Sequence, residues 1–308
     1  MILVINLNAS LDKKYEIEDI EKGKVMRARS VENTPGGKGL HVANVATILK
    51  EDCIATGLLG GKSGEFIENK LKEYGIKQDF VKINGETRSC LAIITDDFTQ
   101  TEILEPGPEV SDKELHKFLD KYMDLIKNSN VIVASGSVPR NVPTSFYRRL
   151  IEMTNTQEKK FLLDTSGELL KEGIKGKPYF IKPNKDEIEA LTGRKISSTQ
   201  EAIEEIKRFQ SQGIEFVVIS LGAEGSIAGY MGKFYKVSVP NVKAINPVGS
   251  GDSYVAGVAV AIQRKYEIED ILKFASACGT ANAMEKESGF VTEYVVNELI
   301  NKIRVEEL

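Results

Sequence analysis

The chain has 308 residues and a net charge of −4, so its surface carries no basic excess of the kind that nucleic acids or anionic membranes attract. Its hydrophobic fraction of 41% and charged fraction of 28% are typical of a soluble globular protein, and no apolar run reaches the ~18 residues of a membrane span. Three widely separated cysteines, Cys53, Cys90 and Cys278, argue against a disulfide scaffold and a zinc site, and we expect a cytoplasmic protein.

Short apolar, β-branched runs alternate with amphipathic segments along most of the chain. Strands are predicted at 2–6, 53–59, 131–135, 161–164, 179–182 and 216–221, and helices at 63–74, 111–127, 144–153, 199–212 and 267–286. Such alternation predicts an α/β fold, a single domain over 1–308 with a mainly parallel central sheet and helices on both faces. Ligands of such folds bind at the carboxyl ends of the strands.

Two regions depart from this alternation. Residues 15–20 with 25–33, and 89–96 with 99–104, mix polar and apolar side chains and predict two hairpins, the second closed by a turn at Thr95-Asp96-Asp97-Phe98. We expect these strands, from about 13–34 and 88–105, to form a small β-sheet standing off the main body. Such a sheet would act as a lid over the binding edge or as a homodimer contact.

The stretch Gly249-Ser250-Gly251-Asp252 runs into an apolar segment rich in small residues. It predicts a helix whose first backbone N–H groups lack partners and attract an anion, with Gly249 and Gly251 allowing close approach. A carboxylate beside an anion site repels a phosphate, so Asp252 needs a reason to be there. It either caps the helix or takes a proton from a hydroxyl that attacks a phosphoryl group. Taken alone, the spacing favours the cap.

Other glycine turns are less specific. Gly36-Gly37-Lys38-Gly39 opens a second apolar helix, and residues 222–226 predict a hairpin turn. The dinucleotide fingerprint is excluded because Val42 and Tyr254 occupy the places of its third glycine. A P-loop would need glycine at Thr56, so we interpret 57–64 as a flexible turn.

Several polar residues have both a structural and a functional interpretation. Asn184 and Glu187, three residues apart, fit a helix-capping pair, or a site that holds Mg²⁺ through water. Asp12 follows the first strand and is either a sugar ligand or an ordinary turn residue. Lys24, Arg27 and Arg88 lie in or beside the predicted lid, where solvated charge is the default.

Together these motifs resemble the ribokinase-like sugar kinases, specifically the phosphofructokinase-B family, in the family's order over essentially the whole chain. The similar segments are Gly36-Gly37-Lys38-Gly39, Ser135-Gly136-Ser137-Val138-Pro139, Lys182-Pro183-Asn184 with Glu187, Ser220-Leu221-Gly222-Ala223-Glu224-Gly225 and Gly249-Ser250-Gly251-Asp252. The 1-phosphofructokinase and tagatose-6-phosphate kinase subgroup shares the early Asn8 to Asp12 pattern, a basic residue near position 27 and Thr87-Arg88.

The resemblance implies roles at the reaction centre and the nucleotide site. Asp252 would deprotonate the acceptor hydroxyl, while the backbone N–H groups of Gly249, Ser250 and Gly251 stabilise the transferring phosphoryl. Mg²⁺ and its waters would be held by Asn184 and Glu187, with Lys182 neutralising phosphate. ATP would lie along a loop and a helix whose expected contacts are Ser220, Gly222, Gly225, Cys278, Gly279 and Asn282.

For the sugar, the implied contacts are Asn8, Asp12, Gly37, Lys38, Gly39, His41 and Ser137. The phosphate already on the substrate would meet Lys24, Arg27 and Arg88. His41 departs from the subgroup, which usually has Asn there. Imidazole changes protonation near neutral pH, and it either preserves a hydrogen bond to the sugar or alters which sugar fits.

The sequence therefore predicts an ATP- and Mg²⁺-dependent kinase acting on a ketohexose phosphate, with D-fructose 1-phosphate, giving the 1,6-bisphosphate, as the first expected substrate. Tagatose 6-phosphate is the nearest alternative, followed by another sugar. A sugar-phosphate-binding protein without activity is the alternative from another class, against which Asp252 and Glu187 argue.

Overall fold

The computed structural model describes residues 1–97 and 99–308, so Phe98 of the predicted turn lies outside the described residues. The strands are β1 Ile2–Asn6, β2 Ser10–Glu16, β3 Ser30–Gly36, β4 Cys53–Gly60, β5 Lys77–Gln78, β6 Val81–Ile83, β7 Arg88–Ile94, β8 Gln100–Leu104, β9 Val131–Ser135, β10 Lys160–Asp164, β11 Phe180–Ile181, β12 Phe216–Ser220, β13 Ser226–Tyr230, β14 Lys233–Ser238 and β15 Arg304–Glu307. The helices are α1 Lys38–Ile48, α2 Gly61–Glu73, α3 Asp112–Lys127, α4 Phe146–Asn155, α5 Gly167–Ile174, α6 Lys185–Thr192, α7 Thr199–Ser211, α8 Ser250–Gln263, α9 Ile268–Ala283 and α10 Glu293–Ile300.

The central sheet has the order β15-β14-β13-β12-β11-β10-β9-β1-β4-β5, with β6 beside β4. Across the sheet, the neighbouring strands β5, β4, β1, β9, β10, β11 and β12 pair in parallel. The neighbouring strands β12, β13, β14 and β15 pair antiparallel. Side chains along β1 alternate between two buried clusters, Ile2 and Val4 facing one side and Leu3 and Ile5 the other. Helices cover both faces of the sheet. The predicted α/β class and mainly parallel sheet are confirmed.

A separate four-stranded sheet, which we call the lid sheet, has the order β3-β2-β7-β8. Its two hairpins join through the parallel pair β2 and β7. The predicted bounds of the first hairpin are wrong, because β2 begins at Ser10 and β3 runs to Gly36. The apolar residues that suggested a strand near position 25 are exposed instead, Val25 by 88%. The first hairpin of the lid sheet therefore begins shortly after β1 and ends right before α1.

The prediction of a flexible turn over 57–64 is wrong. Strand β4 continues to Gly60, and α2 begins at Gly61. Glu86, which is distant in sequence, caps the start of this helix. Its carboxylate accepts hydrogen bonds from the backbone N–H groups of Lys62 (3.1 Å) and Ser63 (2.7 Å). A cap supplied from outside the local segment leaves no signal in that segment.

The predicted hairpin turn after β12 is confirmed, since β12 and β13 pair antiparallel around a short 3₁₀ turn at Gly222–Glu224. Within the described ranges, 1–97 and 99–308, none of the helices combines the length and apolarity needed to cross a bilayer.

Helices α8 and α9 pack closely because Gly257 has no side chain. A Cβ at this position would lie 2.7 Å from the Cα of Ala275. Alanine gains about 1 kcal/mol of helix propensity over glycine, but overpacking against backbone costs about 1–3 kcal/mol. We therefore expect Gly257→Ala to lower the free energy of unfolding in urea titrations. Gly64→Ala in α2, whose nearest neighbour would be 3.2 Å away, is the matched control and should lose less. A Gly257→Ala protein more stable than the wild type would contradict this packing.

Candidate active site

A cavity of about 1190 Å³ lies between the carboxyl ends of the central strands and the lid sheet. Asn6, Asp164 and Ser220 line it from the ends of β1, β10 and β12, while Asp12 and Arg88 line it from the lid sheet. This is the edge at which ligands of parallel sheets bind. The first turn of α8 also faces this cavity.

The start of α8 presents free backbone donors. Gly249 is its N-cap, with φ at 84°, a conformation that glycine adopts without strain. The amides of Gly249, Gly251 and Asp252 have no hydrogen-bond partner within the described part of the chain, whereas Ser250 donates its amide to Pro247 (3.2 Å). The ammonium of Lys182 lies beside Gly251, 3.3 Å from where a Cβ would be. Free amides and a lysine together form an anion site.

Asp252 does not cap α8, so the capping interpretation is wrong. It is the third residue of the helix, it is only 6% exposed, and it lines the cavity. Its Oδ2 lies 2.7 Å from Nδ1 of His41, in the first turn of α1. Burial lowers the pKa of His41, but the hydrogen bond to Asp252 and the charges of Asp252 and Asp12 outweigh it, so the pKa is raised above its ordinary value.

Asp164, which the sequence did not single out, lies at the end of β10 with 5% exposure. Its carboxylate is 3.7 Å from the ammonium groups of both Lys38 and Lys182. The negative charge of Asp164 raises the pKa of Lys38 against the opposing effect of burial. Asp164 thus holds two lysines in the cavity, and these three groups together are positively charged, which favours a phosphate beside them. Its place at the end of a buried strand was the only sequence signal.

Asn184 and Glu187 form a capping box at the start of α6, as the structural interpretation predicted. The Oδ1 of Asn184 accepts the backbone N–H of Glu187 (2.8 Å), and Oε2 of Glu187 accepts that of Asn184 (2.9 Å). Both residues also line the cavity, and Oε1 of Glu187 is unpartnered among the residues described. No group of three or more His, Cys, Asp or Glu side chains in 1–97 and 99–308 is arranged to hold a metal. A Mg²⁺ that keeps its water shell fits this single free carboxylate oxygen.

Polar and charged side chains line the cavity on its lid side. Asp12 accepts the hydroxyl of Ser10 (2.6 Å), and burial raises its pKa. Arg88 donates to the carbonyl of Glu105 (3.1 Å), while its buried Nε has no partner among described atoms. Asn8 donates to Ser137 (2.9 Å), and its Oδ1 is likewise unsatisfied in the described chain. Asn8, Asp12 and Arg88 all line the cavity, so this side of it presents polar and charged groups to a ligand.

The chain matches the model of the pfkB family of carbohydrate kinases over residues 5–293. It belongs to this family. The family and the carbohydrate kinase class that the sequence predicted are thereby confirmed.

Relatives match over the full length of the chain. A tagatose-6-phosphate kinase of Staphylococcus epidermidis (strain ATCC 12228 / FDA PCI 1200) is 41% identical over 314 residues, covering 100% of both proteins. A Staphylococcus aureus protein proposed to be a phosphofructokinase is 30% identical with a TM-score of 0.86, covering 100% of this chain and 99% of that one. Arabidopsis thaliana ribokinase, solved with ribose and ATP, is 21% identical with a TM-score of 0.80, covering 97% and 98%. At that identity the likeness shows the fold alone, which is ribokinase-like.

Most of the site residues predicted from the sequence line the cavity of this pfkB-family protein. Besides those already placed, Gly37, Gly222, Gly225 and Gly279 line it. Lys24 and Arg27 instead lie exposed between β2 and β3. Gly39 is buried against Asn6, and a Cβ at Gly39 would lie only 2.7 Å from the Cβ of Asn6. Cys278 and Asn282 are fully buried beneath the cavity wall. These five are the expected residues that the structure does not bring to the cavity surface.

Asn282 anchors the anion site of this pfkB kinase from below. Its Nδ2 donates to the carbonyl of Val248 (2.9 Å), and its Oδ1 accepts the backbone N–H of Gly289 (2.8 Å) and the hydroxyl of Ser253 (3.0 Å). It therefore ties the segment before α8 to the segment after α9. The resemblance implied that Asn282 contacts ATP directly. In the structure its side chain instead supports the turn before α8, and this turn lines the cavity in which ATP would bind.

We expect Asn282→Ala to lower the free energy of unfolding by about 2–3 kcal/mol, because several buried groups lose their partner at once. Urea unfolding followed by circular dichroism measures this loss. Asn241→Ala is the control, since Asn241 is exposed in the cavity wall and makes no side-chain hydrogen bond within the described ranges. Equal stability of the two variants would contradict the anchoring role of Asn282.

Proposed function

We propose that this carbohydrate kinase transfers the γ-phosphoryl group of ATP to a free primary hydroxyl of a ketohexose monophosphate. The observation that carries the proposal is that a buried carboxylate, Asp252, and unpartnered amides of the same helix turn open on one cavity. The amides supply a site for phosphate, and the acid supplies an acceptor for the hydroxyl proton. An anion-binding protein without activity would have no use for a carboxylate beside that site.

In the proposed reaction, Asp252 accepts the hydroxyl proton as the sugar oxygen attacks phosphorus. The amides of Gly249 and Gly251 and the ammonium of Lys182 bind the phosphoryl oxygens, on which charge is spread in the transition state. Bound Mg²⁺ would neutralise charge on the nucleotide phosphates, and Glu187, with Asn184 in its capping box, would hold its waters. Positioning and electrostatic stabilisation supply most of the catalysis.

For the sugar, we propose tagatose 6-phosphate as the first substrate to test, because the full-length relative at 41% identity bears that name. Fructose 1-phosphate is the second, because the subgroup that shares the Asn8 to Asp12 pattern and Thr87-Arg88 includes 1-phosphofructokinases as well as tagatose-6-phosphate kinases. Each of these sugars has one phosphate and one free primary hydroxyl at opposite ends of the molecule. Arg88, which lines the cavity from the lid sheet, is the proposed ligand of the phosphate, and Asp12 and Asn8 are the proposed ligands of ring hydroxyls. A kinase assay across ketohexose phosphates distinguishes the two.

Asp252→Asn keeps the size of the side chain but removes the proton acceptor. We expect kcat to fall by about 10²- to 10⁴-fold with little change in KM for ATP. Coupled measurement of ADP release checks this. Asp186→Asn, which removes an exposed acid at the start of α6, is the matched control and should retain kcat. Preserved turnover in Asp252→Asn would reject Asp252 as the base, and a wild type without sugar-dependent ATP consumption would favour the non-enzymatic alternative.

Arg88→Ala removes the proposed phosphate ligand. Because charge-assisted hydrogen bonds contribute about 1.5–3 kcal/mol, KM for the sugar phosphate should rise about 10- to 100-fold, with KM for ATP nearly unchanged. Arg149→Ala, an exposed arginine of α4, is the control. Arg27→Ala tests whether this exposed residue also serves the phosphate, as the resemblance implies. Equal losses for phosphorylated and unphosphorylated sugars in Arg88→Ala would argue against a phosphate contact.

A further inference from the structure

His41 and Asp252 join two helices that begin at the cavity. His41 stands in the first turn of α1 and Asp252 in the first turn of α8, 211 positions apart, yet Nδ1 and Oδ2 are 2.7 Å from each other. The backbone of Gly289 covers the other side of His41 so tightly that any Cβ on this glycine would overlap the histidine. The ring is therefore confined where it meets the carboxylate.

The short contact fixes where the protons of His41 reside. For Asp252 to act as a base it must be a carboxylate, and a nitrogen 2.7 Å from a carboxylate oxygen must carry the hydrogen between them. Nδ1 thus remains protonated, and Nε2 is the nitrogen that gains or loses a proton near neutral pH. The other oxygen of Asp252, Oδ1, is unbonded within the described residues and remains available for the sugar hydroxyl.

The charged groups around His41 come from three elements. Asp252 of α8 and Asp12 of β2 favour the imidazolium, while Lys38, on α1 itself, opposes it. Gly289 contributes only backbone. Burial lowers the pKa of His41, but the two acids prevail and the pKa is raised. The imidazolium therefore persists to higher pH than in an exposed histidine and is lost as the pH rises through that raised value.

We propose that His41 is a positioning residue for Asp252, which holds the carboxylate through Nδ1–H and determines by its own charge the pH range in which Asp252 accepts the hydroxyl proton. The inference rests on the proposed kinase function. An imidazolium stabilises the carboxylate and so weakens it as a proton acceptor, and loss of the Nε2 proton removes this restraint. The asparagine that the related subgroup usually has at this position could hold the carboxylate but carries no charge.

The proton balance of the step is simple. The sugar O–H bond breaks, its proton goes to Oδ1 of Asp252, and the sugar oxygen forms its bond to phosphorus while ADP leaves. His41 keeps its Nδ1 hydrogen throughout. Asp252 returns its proton to solvent once the product has left.

The first test needs no substrate. The chain has only two histidines, His41 and His116, so NMR of histidine-labelled protein gives two titrations. We expect His41 to titrate above the range of an ordinary histidine and Asp252→Asn to lower its midpoint by about 1 pH unit or more. His116, exposed on α3, serves as the internal reference and should not move. An unchanged His41 midpoint in Asp252→Asn would overturn the proposal.

The second test is the pH profile of kcat for the wild type and for His41→Asn. In the wild type we expect kcat to fall as the pH drops through the His41 midpoint and to level off at the lower rate of the imidazolium form, whereas in His41→Asn this fall should be absent from that pH range. His116→Asn controls for the loss of a histidine and should keep the wild-type profile. An identical fall in His41→Asn would reject the inference. A wild type inactive with all sugar phosphates would refute the proposed function, while the NMR titration would still report on the His41–Asp252 contact.

Discussion

The burial of α8 is the constraint on which the site depends. Every residue from Asp252 to Ile262 is buried, and the helix packs against α1 and α9, approaching α9 closely at Gly257, which has no side chain. A helix enclosed in this way cannot retreat from the sheet edge, so its first turn faces the cavity without protein partners for several amides. Apolar packing far from the chemistry thus maintains an arrangement of unpaired donors that would otherwise be costly.

Opposite charges are placed in close pairs around that helix start. Asp164 lies between Lys38 and Lys182, and His41 meets Asp252. Asp164 has both ammonium groups, and Asp252 the imidazole of His41, within 4 Å, which offsets the free energy of removing these two carboxylates from water. The same pairs keep two ammonium groups beside the anion site. The cavity can therefore accept a phosphate although several acids surround it.

Much of the fold follows from local pattern. The alternation of buried strands and amphipathic helices has a simple period, and the capping box of Asn184 and Glu187 lies within one turn, so both could be predicted. The features that could not be predicted from the sequence depend on residues that are distant in the chain. Glu86 caps α2 from another part of the chain, and Asp164 acquires its importance from lysines on α1 and after β11.

The site showed the same division. The glycine-rich turn before Asp252 marked a helix start, but whether that acid caps the helix or faces a ligand depends on tertiary packing, which local spacing does not record. The exposure of Lys24 and Arg27 agrees with their default interpretation as solvated charges, whereas the phosphate contact that the resemblance implied for them depends on tertiary placement. The family resemblance implied that Asn282 contacts the nucleotide. Its buried side-chain amide instead forms hydrogen bonds with the backbone of Val248 and Gly289.

The residues that line the cavity come from two parts of the molecule, the lid sheet and the body that contains the central sheet. Asp12 and Arg88 lie on neighbouring strands of the lid sheet, at register positions two residues apart, whereas Asp252, Lys182 and Asp164 belong to the body. The lid sheet connects to the body through four short stretches, which run from Asn6 to Ser10, from Gly36 to Lys38, from Ile83 to Arg88 and from Leu104 to Asp112. A tilt of that sheet would displace the carboxylate and guanidinium together while the helix start remained in place. With the residue roles proposed above, sugar affinity would depend most on the orientation of the lid sheet, and the binding of phosphoryl oxygens would depend on it least.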